Sequence, residues 1–148
     1  MRIARDGTWF HQGTPIGRKE LVKLFASVLR KEPDGYYLVT PVEKLSIAVD
    51  DAPFTAVLMS VAGEGKSQRL TFTTNTEDVT VAGRVHPIRV ATDPASGEPA
   101  PYVHVRGGLE ALIARPVFYQ LADLAVPGDD GALGVWSDGV FFPLGEGQ

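Results

Sequence analysis

Along most of this chain apolar and polar residues alternate, and in two stretches they instead recur at the three- and four-residue spacing of a helix. In the first stretch Leu21, Leu24, Phe25 and Val28 fall on one face with Val22 and Leu29 beside them, while Lys19, Glu20, Lys23 and Arg30 take the other. That pattern predicts an amphipathic helix starting near Arg18, with Thr14-Pro15 just ahead of it and Pro33-Asp34-Gly35 as its stop. The second helix is predicted to start at Pro116, whose fixed φ and missing N–H suit the first helical position. It buries Phe118, Leu121 and Ala125, with Val117 and Leu124 alongside, and Pro127-Gly128 ends it.

Strand-like composition covers most of the rest. Tyr36 to Val39, Leu45 to Val49, Phe54 to Val61 and Gln68 to Thr73 are separated by Pro41, by Asp50-Asp51-Ala52-Pro53 and by Gly63-Glu64-Gly65-Lys66. Val79 to Ala82, Ile88 to Ala91, Tyr102 to Arg106 and Leu109 to Leu112 follow, with an exposed loop from Asp93 to Pro99 and a hairpin turn at Gly107-Gly108. Leu133 to Trp136 and Val140 to Pro143 close the chain. Asp6-Gly7 and Asp138-Gly139 each stand between strand-like runs. They predict two-residue hairpin turns, because a type I′ turn needs positive φ at both central positions.

The two ends of the chain match. Ile16, Arg18 and Leu24 stand at the offsets of Ile113, Arg115 and Leu121. Ile3, Asp6, Gly7, Phe10 and Gly13 stand at those of Val135, Asp138, Gly139, Phe142 and Gly145. The pattern reads as a diverged internal duplication, an α+β chain of two small antiparallel-sheet domains with one main helix each. The polar cluster Thr74-Asn75-Thr76-Glu77-Asp78 sets the division. It gives an N-terminal domain over residues 1–76 (hairpin, helix, about four strands) and a C-terminal domain over 77–148 (about four strands, helix, hairpin).

Composition narrows the partners. The 148 residues can bury one sizeable core or two small ones sharing a face. A net charge of −4 supplies no long-range attraction to phosphate backbones or anionic membranes, so neither nucleic acid nor membrane is expected as a partner. There is no cysteine, which removes disulfides, thiolate nucleophiles and cysteine-based zinc sites. No apolar run approaches the roughly 18 residues that span a bilayer, and the N-terminus carries no signal-type segment. The expected location is the cytoplasm.

Several runs carry a resemblance over nearly the whole chain. They begin with Ala4-Arg5-Asp6-Gly7-Thr8-Trp9-Phe10-His11, Pro15-Ile16-Gly17-Arg18 and Leu38-Val39-Thr40-Pro41-Val42-Glu43-Lys44. Asp51-Ala52-Pro53-Phe54, Gln68-Arg69-Leu70-Thr71-Phe72 with Thr74-Asn75, and Pro101-Tyr102 follow. The last are Leu109-Glu110-Ala111-Leu112-Ile113-Ala114-Arg115 and Leu133-Gly134-Val135-Trp136-Ser137-Asp138-Gly139. With these the sequence resembles a bacterial family catalogued as domain of unknown function 1285. The resemblance implies a duplicated α+β core whose C-terminal half is loosely pleckstrin-homology-like. It also implies a ligand site between the domains, for a nucleotide-like molecule, and a role in signal transduction. It brings no catalytic residues and leaves the cofactor unknown.

The residues themselves offer a few constellations. Arg18 and Arg115 each sit at a helix N-terminus, where the dipole opposes a cation by about 0.3–1 kcal/mol. Each therefore asks for a protein carboxylate, with Glu43, Glu110 or Asp51 as partners, or for an anionic ligand held with the free helix amides. Arg106 stands just ahead of Arg115 at the Gly107-Gly108 turn. Glu43 and Lys44, and Asp50-Asp51 with Pro53, put charges beside prolines at strand ends, where rigid turns present them to a cleft or leave them on a solvated rim. Of Trp9, Phe10, Tyr119, Trp136, Phe141 and Phe142, most belong to the core, and Tyr119 and Trp136 are the candidates to stack on a ligand.

Other chemistries lack their signatures. Ala62-Gly63-Glu64-Gly65-Lys66-Ser67 imitates a phosphate-binding loop, but Ser60 replaces its first glycine and a strand pattern follows instead of a helix, so it reads as a hairpin turn. His11, His86 and His104 are scattered, with no two-histidine metal spacing and no metal site expected. No Gly-x-Ser-x-Gly elbow is present. Three functional readings result. The first is a non-enzymatic module binding a small anionic, nucleotide-like ligand through Arg18, Arg106, Arg115, Tyr119 and Trp136, with Glu43 and Lys44 at the rim, and reporting it to a signalling protein. The second is a protein-interaction adaptor taking a peptide in the cleft or on a strand edge. The third is a hydrolase or transferase on a nucleotide-like substrate, with Glu43, Asp51 or His104 as general base.

Overall fold

The computed structural model describes residues 1–145. The N-terminal half begins with β1 (Arg2–Ile3), β2 (Trp9–His11) and β3 (Thr14–Pro15), followed by α1 (Lys19–Ser27) and then β4 (Leu29–Glu32), β5 (Gly35–Val39) and β6 (Lys44–Val49). The C-terminal half begins with β7 (Phe54–Ala62), β8 (Arg69–Thr74), β9 (Val79–Val81), β10 (Ile88–Thr92), β11 (Pro99–Arg106) and β12 (Leu109–Ile113). It ends with α2 (Arg115–Asp123), β13 (Val126–Pro127), β14 (Leu133–Ser137) and β15 (Val140–Pro143). The result is α+β, two sheet-rich halves with one helix each.

Each half builds a six-stranded sheet in the same way. Two three-stranded meanders lie side by side in the orders β3-β2-β1-β6-β5-β4 and β10-β11-β12-β7-β8-β9, and β13-β14-β15 form a separate three-stranded meander. The sheets are antiparallel, as expected, except at two seams. β1 runs parallel to β6, with Ile3 opposite Val49, and β12 runs parallel to β7, with Ala111 opposite Phe54. The chain crosses the sheet between meanders, as α1 does between β3 and β4, and a crossover is what parallel neighbours require. The expected division near residue 76 falls inside the second sheet, at the turn between β8 and β9. The hydrogen-bonded layers change between Val49 and Phe54.

α1 is shorter than its apolar pattern. It stops at Ser27, whose hydroxyl donates to the Leu24 carbonyl at 2.5 Å, and Leu24 is left 61% exposed whereas Leu121, its proposed counterpart, is fully buried. Leu29 to Glu32 pair with Gly35 to Leu38 instead, and Pro33-Asp34 turn that hairpin. Pairing there satisfies the backbone and buries Leu29 fully, which outweighs another turn of helix. α2 starts at Arg115, one residue before Pro116, and buries Val117 and Leu121; Phe118 is half-buried and Ala125 lies beyond the helix.

The two Asp-Gly turns differ. Asp138 and Gly139 have φ of 49° and 80° between the paired residues Ser137 and Val140, as a type I′ turn requires. At the first turn only Gly7 has positive φ, 93°. The Ala4 and Thr8 backbones bond across a three-residue loop, Gly7 N–H donates to the Ala4 carbonyl, and Thr8 N–H donates to Asp6 Oδ1 at 2.9 Å. That last bond stabilises the Asp6 carboxylate and holds its pKa below the ordinary value.

One large core runs through both halves, joining Ile3, Trp9, Ala26 and Leu29 to Phe54, Leu70, Phe72, Val103, Leu121 and Val135, and a small second cluster forms from Ala52, Ala100 and Tyr102. Three polar ties fasten the pieces. Asn75 Nδ2 donates to the Gly7 carbonyl, its Oδ1 accepts Thr55 N–H, and its own N–H donates to the Thr55 carbonyl. Arg106 donates to the Ala26 carbonyl at the end of α1, at 2.7 Å. Buried Ser137 accepts Leu70 N–H at 2.9 Å and donates to the Ala82 carbonyl at 2.7 Å, tying the last meander to the second sheet. Among the described residues no helix is long and apolar enough to cross a membrane.

Candidate functional site

The start of α2 opens onto a cleft. Ala114 leads into the helix from extended backbone and donates to the Ala56 carbonyl, which fixes the helix end against β7. No side chain caps this end and Pro116 has no N–H, so the Arg115 and Val117 amides are the first-turn donors free of intrahelical partners. With Val117 and Leu121 turned into the core, Arg115, Phe118 and Tyr119 border a cleft of about 310 Å³. Ala100, Pro101, Leu112 and Ile113 give it apolar surface, Asp93 and Glu98 come from the β10–β11 loop, and Arg5 reaches in from the first hairpin of the other half.

Both arginines are held by acids. Arg115 pairs with Glu98 at 3.1 Å, and Arg5 lies 3.4 Å from Asp51 and 3.8 Å from Asp93. Behind Arg5, Tyr102 donates its hydroxyl to Asp51 Oδ1 at 2.6 Å, and the Arg89 guanidinium lies 4.3 Å over the Tyr102 ring while it grips Glu110 with two bonds. Burial, then the bond to the Asp51 carboxylate, pushes the Tyr102 phenol up to about 12. A raised phenol pKa stabilises the fold below the unfolded value near 10 and loses that contribution as pH climbs through about 12. The protein should therefore lose on the order of 2 kcal/mol between those pH values, and Tyr102→Phe should flatten the loss in urea denaturation midpoints across that window. An unchanged slope in the variant would assign the alkaline sensitivity to other groups.

The structure brings together some of the expected residues. Arg115 and Tyr119 share the cleft, and Arg115 finds Glu98 as its carboxylate in place of Glu43, Glu110 or Asp51. Arg18 is the exposed N-cap of α1 and lies outside this cleft. Arg106 caps the far end of α1 beside Arg30 and Lys31 in a second groove. Glu43 and Lys44 lie at the β5–β6 turn, where Lys44 pairs with Glu32 and covers the Tyr37 ring. Trp136 packs edge-on against Phe141 under Lys66. The offsets that equated the two helix starts did not place them at one site.

Histidine adds a contact that the chain order does not show. His86 and His104 stack with their Nδ1 atoms 3.4 Å apart, and His104 Nε2 accepts Gly108 N–H at 3.1 Å. The pairing of Ile88 with Val103 brings them together, which linear spacing does not reveal. Among the described residues no three potential metal-ligating side chains cluster. Glu43, Asp51 and His104, the candidate bases, stand at the β5–β6 turn, against Tyr102 and against His86 respectively, with no shared centre. Sequence reasoning missed Arg5, Asp93 and Glu98 as site residues. The one signal was Arg5 beside the Asp6-Gly7 turn.

Comparison with known proteins gives one family. Residues 1–52 match the model described as "Domain of unknown function (DUF1285), N-terminal domain" and residues 53–144 the one described as "Protein of unknown function (DUF1285), C-terminal domain". A crystal structure of a DUF1285 family protein from Silicibacter pomeroyi DSS-3 is 64% identical, with a TM-score of 0.95, over 99% of this chain and 79% of that one. Another, from Shewanella baltica OS155, is 26% identical with a TM-score of 0.64, over 82% of this chain and 89% of that one. No curated protein matches.

Proposed function

From the chain's membership of the DUF1285 family, which two domain models together spanning residues 1–144 establish, we propose a binding module that holds a small ligand with an anionic group between its halves and reports its presence to a signalling partner. The observation that carries this reading is the convergence of Arg115, Tyr119 and the uncapped start of α2 with Arg5 on one partly apolar cleft. Guanidinium groups grip carboxylate or phosphate with two bonds, and first-turn amides add donors and a favourable dipole. Tyr119, 59% exposed at the rim, and Phe118 offer ring faces to a planar group.

Titration calorimetry with inorganic phosphate, adenosine monophosphate and small carboxylates tests it. Arg115→Ala should weaken the binder by about tenfold or more, as expected for a lost bond to a charged group. Its unfolding midpoint should stay within about 0.5 kcal/mol of the parent, because the Arg115–Glu98 pair is exposed. Equal affinity in the variant would remove Arg115 from the site. The adaptor reading draws on a different surface: Leu58 and Val79, 63% and 66% exposed, flank Thr73 on one face of the second sheet.

A further inference from the structure

The charges around the cleft do not make a simple anion trap. Two cations, Arg5 and Arg115, meet three carboxylates, Asp51, Asp93 and Glu98. The surplus is uneven. Glu98 matches Arg115 one to one, and the free amides of α2 add positive potential at that end. Arg5 is flanked by two carboxylates, with Asp51 Oδ2 3.4 Å and Asp93 Oδ2 3.8 Å from its guanidinium. The Arg115 side of the cleft suits an anion, and the Arg5 side holds two carboxylates to one cation, the two sides adjoining through the Asp93–Glu98 backbone bond.

We propose that the ligand is a zwitterion, a free α-amino acid with an apolar side chain. Its carboxylate sits at Arg115 and the α2 amides, its ammonium on the Asp93 side, and its side chain against Pro101, Leu112 and Phe118. This rests on the reading of the cleft as a ligand site and adds the second charge. A cleft of about 310 Å³ lies at the small end of ligand pockets, roughly 300–1,000 Å³, which suits a molecule of amino-acid size. A ligand bearing only negative charge would displace Glu98 and still face Asp93. A ligand with both charges answers both groups.

Calorimetric titration with L-phenylalanine, L-leucine, 3-phenylpropionate, phenethylamine and adenosine monophosphate decides the matter. An amino acid should bind at least about tenfold tighter than the analogues lacking either charge, since each loses a charge-assisted bond. Asp93→Asn keeps the oxygen that accepts Ala95 N–H, so the loop turn survives. In that variant the preference for phenylalanine over 3-phenylpropionate should shrink to within about threefold, with the unfolding midpoint unchanged. Tighter binding of 3-phenylpropionate or adenosine monophosphate than of either amino acid would overturn the zwitterion and leave the anion-binding module standing. Undiminished preference in Asp93→Asn would overturn the placement of the ammonium. Heat-silent titrations and unshifted unfolding temperatures with all five compounds would overturn both readings.

Discussion

Gly7→Val should lower the stability of the protein by about 3–5 kcal/mol, one of the two largest losses expected from a single substitution. Gly7 sits at φ +93°, where a β-branched residue is strained by roughly 1–3 kcal/mol. Its Cβ would lie 2.8 Å from Asn75 Nδ2 and 2.9 Å from Thr55 Oγ1. Asn75 cannot swing aside freely, because its side chain bonds to Gly7 and Thr55 and its own amide bonds to Thr55. Forcing it out costs about 1 kcal/mol for each bond lost. At this chain length the melting temperature should fall by roughly 2–4 °C per kcal/mol, about 10 °C in all. Urea denaturation of Gly7→Ala, Asn75→Ala and the double variant isolates the clash: the double variant should lose less than the sum of the singles. A loss under about 1 kcal/mol in Gly7→Val would mean that the loop relaxes and that Asn75 is not a clamp.

Ser137→Ala should cost about 2–4 kcal/mol although it removes one oxygen. That oxygen is fully buried and serves two backbones, accepting from Leu70 and donating to Ala82. Alanine leaves an N–H and a C=O inside the protein without partners, at about 1–3 kcal/mol for each unpaired group. Gln68 Nε2 still donates to the Trp136 carbonyl and Asp138 N–H to the Gln68 carbonyl, so the last meander should loosen without detaching. Denaturation should show the loss of midpoint, and hydrogen exchange should show faster exchange at the Leu70 amide. A midpoint within about 0.5 kcal/mol of the parent would show that water or a shifted strand replaces the hydroxyl.

Much of this architecture was legible because strands announce themselves locally. The alternation from Tyr36 to Val49 and from Phe54 to Thr73, broken by Pro41, Pro53 and the Gly63–Lys66 turn, requires no knowledge of the partner strand. Arg115 and Tyr119 were legible as neighbours because one helix carries both. The failures share a cause. Leu24 has the right spacing for a buried helical face, yet it is left exposed, and the chain past Ser27 leaves the helix to pair as the β4–β5 hairpin, a decision made by tertiary pairing. Arg5, Asp93 and Glu98 come from two loops that meet only once the halves dock. Arg18 was grouped with Arg115 by offset, and equal offsets do not make equal positions when one helix follows its meander and the other precedes it; Trp136 was grouped with them only as an aromatic able to stack.

The two parallel seams also set a timetable for the chain as it leaves the ribosome. Hairpins close almost as soon as they are made, since their strands are adjacent in sequence. β1 has no partner on its β6 side until Val49 has emerged, and β7 waits in the same way for Leu109 to Ile113. Through that interval β7 offers an unpaired edge along Phe54 to Ala56, residues that are buried once β12 arrives. A chain interrupted between Ala62 and Leu109 therefore carries an open, apolar strand edge of the kind that recruits other chains, and synthesis through that segment is a window in which the protein is exposed to misassembly.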